Sequence, residues 1–283
     1  MTKLLRSGIS RYMKSMAFWI IVAISLILGL IAGAVTDYLG INMLGLLIVI
    51  AILISLMIGT EFSDGIVRNK LIMGHSKGKV FLSELLLSMI SSTVLFAVCY
   101  GAFIVFNFHR CDSMEAGEIA MGAVGLWMMH LSFAAVCTAV CFFIPYNSTM
   151  AAIINITLVI VTAIVAQLLY YKFFNEPEYY NAKYDYNFDE NGHIVEQVVI
   201  EGEPNPKYIP TDSAEYAVLR AAYYLMPCGQ LTDYQFALSE LWFIDFPDER
   251  RLNDLKTAPL YSLMTIGLFT AAGILTFRKK DLK

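Results

Sequence analysis

Six stretches of this 283-residue chain, at 17–35, 41–59, 82–106, 119–144, 149–171 and 259–277, stay apolar long enough to cross a bilayer. A helix rises 1.5 Å per residue, so about 20 residues span a hydrocarbon layer of roughly 30 Å. No water reaches the amides inside that layer, and a helix satisfies them within its own segment. Composition points the same way. The chain is 58% hydrophobic and 16% charged, whereas soluble domains run near half apolar and a quarter charged. The expected fold is an all-α integral membrane protein: six transmembrane helices, with an α+β extracellular insert between the last two. The first apolar run is too long for a cleavable leader, and no small-residue cleavage site precedes a soluble mature chain.

Lys and Arg in the short connections set the expected orientation. Lys3, Arg6, Arg11 and Lys14 precede the first run. Arg68, Lys70, Lys77 and Lys79 follow the second, and Arg278, Lys279, Lys280 and Lys283 follow the sixth. With six spans these segments share a side, which then holds twelve of the 20 basic residues, while the short connections opposite carry only Arg110. Both termini are therefore expected in the cytoplasm of a multi-pass protein. Residues 173–258 fall outside, and acids outnumber bases there by more than two to one. The net charge of −4 averages two unlike surfaces and gives no basis for a nucleic-acid partner.

The chain divides into 1–15, 16–172, 173–258 and 259–283. In 1–15, Leu4, Leu5, Ile9 and Tyr12 alternate with Lys3, Arg6, Arg11 and Lys14 at helical spacing, an amphipathic segment suited to the headgroup layer. Residues 16–172 hold spans one to five, and 259–283 the sixth span with its basic tail. Gly29 and Gly33 make a small-xxx-small stripe that admits a close helix neighbour. In the insert, Tyr184, Tyr186 and Phe188 alternate with polar residues, Asn191-Gly192 follows, and Ile194, Val198 and Ile200 resume, predicting a β-hairpin. Asp212 with Glu215 predicts a helix to about Met226, Thr232 with Gln235 another to about Phe243, and Pro247 the first turn of a third. The insert's many tyrosines are read as a small core seated on the aromatic belt of the bilayer.

The connector between the second and third runs is the most informative segment. Phe62, Ile66, Leu71 and Met73 interleave with Glu61, Asp64, Arg68 and Lys70, and Gly74 interrupts the pattern, predicting a helix over 61–73 joined to two spans. Glu61-Phe-Ser-Asp-Gly65, Ile66-Val-Arg-Asn-Lys70 and Gly74-His-Ser76 together resemble the second-to-third-span connector of ABC-2-type ABC transporter permeases. The likeness is closest to six-span bacterial exporters of peptides, lantibiotics and other antibiotics. It extends over the whole chain, although the insert is longer than the short re-entrant helices common in that family. The resemblance implies a coupling helix that sits in a cleft of a separate ATPase subunit. It assigns that role to Glu61, Asp64, Gly65, Arg68, Asn69 and Lys70. It also implies a second permease subunit, identical or homologous, a place in the bacterial cell membrane, and a peptide-like cargo. This chain would then carry no cofactor and perform no catalysis, with ATP and Mg on the partner.

Other chemistry fits poorly. Gly74-His-Ser-Lys-Gly-Lys79 has three residues between its glycines, where a phosphate loop needs four, and Val80 stands where Ser or Thr should. His130, Cys137 and Cys141 share one helix face, a conceivable soft-metal set, though buried Cys is also a common small filler. Asn42, Asn155 and Gln167 are read as hydrogen-bonders between helices. Cys111 and Cys228 both fall outside, and a disulfide between them stays open. The alternatives to a peptide exporter are an ATPase-independent peptide-sensing or immunity protein, a lipid or drug exporter permease, and a soft-metal transporter.

Overall fold

The computed structural model describes residues 2–35, 44–107, 116–144, 147–174, 177–188, 194–210, 212–243 and 249–280. Its helices are α1 (Thr2–Lys14), α2 (Met16–Val35), α3 (Leu44–Ser63), α4 (Ile66–Ile72), α5 (Lys77–Phe106), α6 (Ala116–Phe143), α7 (Ser148–Leu169), α8 (Ala214–Leu225), α9 (Pro227–Phe243) and α10 (Glu249–Lys279). Six of them (α2, α3, α5, α6, α7 and α10) are long and apolar enough to span a membrane. The chain is thus a multi-span membrane protein. Apart from its helices it has a small antiparallel sheet, β1 (Tyr179–Phe188) against β2 (Ile194–Pro204), registered from Tyr179 opposite Pro204 to Phe188 opposite Ile194. The hairpin is where alternation placed it, while Asn191-Gly192 lies outside the described residues, as do Pro247, Asn42 and Cys111.

Packing separates inner helices from outer ones. In their most apolar windows α3 and α6 are 67% and 72% buried, against 17% for α7 and 22% for α10. α3 and α6 therefore form the centre. α2 leans on α5, α7 on α3, and α10 on α6. On α2, Ser25, Gly29 and Gly33 are buried, while Trp19, Ile20, Ile27 and Ile31 are exposed. A methyl group at Gly29 would overlap the Cys99 carbonyl of α5. The small-residue stripe is therefore the seam against α5, and the opposite face is apolar because it meets lipid.

Two contacts bring α1, the connector and the end of α10 to one end of the bundle: Arg11 reaches Glu61, and Lys77 reaches the Arg278 and Lys280 carbonyls. We call this the connector end. The other, the insert end, carries β1, β2, α8 and α9. Here the helix boundaries differ from the sequence expectation. Ser213, rather than Asp212, caps α8, its Oγ accepting from the Tyr216 amide at 3.1 Å. α9 opens five residues before Thr232, at Pro227, where a missing N–H costs nothing. Thr232 sits inside the helix, bonding back to the Cys228 carbonyl at 3.0 Å.

The insert also does not rest wholly on the bilayer surface. The turn from α8 to α9 is buried among α7 and α10. Gln230 is fully buried, donating to the Tyr224 carbonyl and accepting from Ser262 of α10, both at 2.6 Å. Thr162 of α7 reaches the Cys228 sulfur at 3.2 Å. Thr162 precedes Lys172, the end of that span, by ten residues, so the turn descends roughly 15 Å below it. Tyr223, Tyr224 and Tyr234 are buried in this wedge rather than set on an aromatic belt. Tyr223 and Tyr224 both donate to the Asp233 carboxylate. Burial, with the Asp233 charge second, holds both phenols well above their ordinary pKa.

Candidate functional site

The connector is two elements, not the single helix expected over 61–73. α3 runs on through Glu61 to Ser63, and the chain then turns at Gly65, whose φ of 68° is left-handed. A side chain there would clash with its own backbone, so glycine is the residue that turns without penalty. The Gly65 carbonyl accepts from the Asn69 amide at 2.9 Å, opening α4. Gly74, with φ 88°, closes it, and Ser76 caps α5 by accepting from the Lys79 amide at 3.4 Å. A seven-residue helix has too few hydrogen bonds to hold itself in water. α4 is fixed by what its inner face touches.

That inner face carries Val67 and Lys70, both buried. The Lys70 ammonium bridges Glu61 of α3 at 2.7 Å and Glu84 of α5 at 2.6 Å. Arg11 of α1 pairs with the same Glu61 and lies 4.0 Å from Glu84. Neither carboxylate has any exposed surface, and the Arg11 side chain is 30% exposed. Two cations and two anions thus converge from four elements and cancel. Removing a carboxylate from water costs several kcal/mol, recovered only while its partners stay in contact. The quartet therefore locks α1, α3, α4 and α5 in one arrangement.

Beside it lies an aromatic cluster. Phe142 of α6 meets Phe62, Phe81 and Phe277 edge to face, at ring separations of 5.2, 4.9 and 4.8 Å. These rings come from α3, α5, α6 and α10, and each such pair contributes about 0.5–1.5 kcal/mol beyond its buried area. The Lys280 ammonium lies 5.6 Å from the Phe62 ring and donates to the Phe142 and Ile144 carbonyls, capping α6. Lys77 does the same for α10, donating to the Arg278 and Lys280 carbonyls at 3.1 and 2.6 Å. Cations at helix C-termini answer the negative end of the dipole. Burial holds the Lys280 ammonium below its ordinary pKa.

The outer face of the connector is open. Asp64, Arg68 and Asn69 are exposed, and so are Ile72 and Met73, at 72% and 68%. The six residues assigned by resemblance therefore separate into two groups. Glu61 and Lys70 point inward and hold the connector, with Gly65 as its corner. Asp64, Arg68 and Asn69 lie on the surface. Sequence reasoning missed Arg11 and Glu84. Helical spacing puts Arg11 on the polar face of α1, yet it turns into the bundle, while Ile9, on the expected apolar face, is exposed. Glu84 had a signal: it is the single acid of the run 82–106, and an ionisable residue in a span calls for a partner. Run length alone passes over it.

Polar residues of the span interiors bond both across helices and within their own helix. Asn155 of α7 donates to Ser55 of α3 at 2.8 Å, the expected tie between helices. Cys141 accepts from Asn155 at 3.4 Å, and His130 Nδ1 lies 2.7 Å from the Leu126 carbonyl of its own helix. No group of three His, Cys, Asp or Glu able to hold a metal is found among the described residues. Cys228 is a buried free thiol turned toward α7. Compared with protein-family models the chain matches none, and comparison with curated proteins finds no match.

Proposed function

We propose that this chain is the permease subunit of an ATP-driven exporter of the ABC-2 type, with the connector end in the cytoplasm. The observation that carries the reading is the division of labour in the connector. Its inner face is clamped by Lys70, Glu61, Glu84 and Arg11, and its outer face offers Asp64, Arg68, Asn69, Ile72 and Met73 to a partner. A short helix that slid on the bundle would dissipate a push. One joined by buried ion pairs and by Phe62 to four other helices passes it to the spans. An exposed apolar pair ringed by charge suits docking into a protein cleft.

In this reading two such subunits face each other, each engaging one ATPase that supplies ATP and Mg. Closure of the ATPases moves α4 with α1, α3 and α5. The insert end must open in turn, which requires the α8–α9 turn to part from α7 and α10, breaking the Gln230–Ser262 and Thr162–Cys228 contacts. The few charges among the spans suit an amphipathic cargo, a peptide or peptide antibiotic first, a lipid or small drug second.

The test is affinity purification of the tagged chain from its own cells under mild detergent. The reading expects a nucleotide-hydrolysing subunit to accompany the wild type and to be lost from an Asp64→Arg/Arg68→Glu double variant whose folding is unchanged. A chain that purifies alone, and still protects its cells against peptide antibiotics, supports the ATPase-independent immunity alternative instead.

A further inference from the structure

Where α7 ends, the insert forms a cleft of about 390 Å³ whose lining includes Lys172, Lys207, Tyr208, Ile209, Ser213 and Glu215. Its position and chemistry both need explaining. Lys172 is the last residue of the fifth span, so the cleft opens at headgroup level. Acids outnumber bases more than twofold in the insert as a whole, yet two ammonium groups and one carboxylate line this cleft. The wall bearing Lys207 is held in place. Asn205 is buried, its side chain donates to the Pro177 carbonyl at 2.8 Å, and its Oδ1 accepts from the Lys207 amide at 2.9 Å. Ser213 secures the other side by donating to the Pro210 carbonyl at 2.6 Å while capping α8.

An apolar track leads to the cleft. Val161, Ile164, Val165 and Leu168 are exposed at 50, 55, 38 and 64%. Their spacing of three, one and three residues puts them on one face of α7, and Lys172 lies four residues beyond Leu168, in the π-helical turn Tyr170–Phe174 that follows α7. A ligand with an acyl chain on that face would bring its head to the level of Lys172, at the end of the span.

We infer that this cleft binds a phospholipid of the insert-end leaflet. Its phosphodiester lies between the Lys172 and Lys207 ammonium groups, a hydroxyl or amine of its head donates to Glu215, and an acyl chain follows α7 from Leu168 to Val161. The charges account for an anion with a donor beside it. The half-buried Tyr208 and Ile209 give the glycerol region an apolar seat. The apolar track distinguishes a lipid from a free phosphate. This inference is independent of any transport activity.

The experiment uses the delipidated full chain in detergent, with thermal unfolding followed by tryptophan fluorescence. Phosphatidylglycerol should raise the midpoint in a saturable way, as a ligand of the native state does. Diacylglycerol of the same chain length and inorganic phosphate should not. Lys207→Gln should leave the lipid-free midpoint unchanged and weaken the lipid response about tenfold, the effect expected for one charge-assisted contact, and Lys207→Glu should abolish it. Native mass spectrometry gives a readout independent of stability: the wild type should retain one phosphatidylglycerol more than Lys207→Glu. Equal retention, an undiminished response in both Lys207 variants, or an equal response to diacylglycerol or to inorganic phosphate overturns the inference.

Discussion

Replacing Lys70 by Met leaves the stem of the side chain in place and removes one charge from a balanced set. Glu61 and Glu84 are both fully buried and then share only Arg11, which is 30% exposed and 4.0 Å from Glu84. The quartet passes from neutral to one uncompensated negative charge. Breaking a buried pair by removing one partner costs about 3–5 kcal/mol, a factor of roughly 10² to 10⁴ in the unfolding equilibrium. Lys70→Met/Glu84→Gln restores neutrality, leaving the Arg11–Glu61 pair and an uncharged amide at position 84. The double variant should therefore recover most of the loss, by about 2 kcal/mol or more. Residues that share a network are not additive. The assay is reversible unfolding in mixed detergent micelles. If Lys70→Met costs less than about 1 kcal/mol, or if the double variant loses the sum of the two single changes, the quartet is not a closed charge balance and the argument for a rigid connector fails.

Other consequences concern docking, sidedness and pH. Gly8 of α1 packs on Leu87 of α5; Gly8→Leu should lift α1, at about 1–3 kcal/mol as for overpacking generally, and expose Arg11 to trypsin, whereas unchanged proteolysis would place α1 elsewhere. Met73→Cys should react with an impermeant maleimide only after cells are opened, and Glu203→Cys in intact cells; the reverse pattern would invert the topology. Tyr12, Tyr223, Tyr224 and Tyr234 all have phenols raised above 10.0 with burial as the leading cause. The folded chain keeps these protons while the unfolded chain releases them near pH 10, so their contribution is intact below that pH and is lost above it. Each tyrosine should take away about 1.4 kcal/mol per pH unit. Tyr224→Phe should flatten that alkaline slope, and an unchanged slope would count against its burial.

How much of this could be read from sequence depends on which signal each part leaves. Six spans were legible because a bilayer demands length and hydropathy from one continuous segment. The β-hairpin was legible from alternation between Tyr184 and Ile200, a local pattern. Of the four polar residues that spacing picked out in the connector, Asp64 and Arg68 do lie outside, while Glu61 and Lys70 are buried, because spacing says nothing of a partner that can draw a charge inward. What pairs across the fold was not legible. Nothing in the order of residues says that Arg11 lies beside Glu61, fifty residues on, or that Phe277 meets Phe62. The break at Asp64-Gly65 was hidden because the apolar period continues through it; only the left-handed corner reveals two helices. The re-entry of α8 and α9 was missed for a related reason. Thr232 reads as a helix cap, and nothing local marks Gln230; only Ser262 and the Cys228 carbonyl, seen in the fold, show both to be satisfied inside the bundle.

The central claim is that the outer face of α4 receives force from a nucleotide-driven partner. A photo-crosslinking amino acid placed at Arg68, at Ile72 and, as a lipid-facing control, at Leu168 tests it in living cells. The account predicts that Arg68 and Ile72 capture the same protein, that mass spectrometry finds a phosphate-binding loop in it, and that the yield changes when cellular ATP is depleted. Leu168 should capture no such protein. Crosslinks from Arg68 and Ile72 that run only to lipid, to the chain itself, or to proteins without a nucleotide site would contradict it.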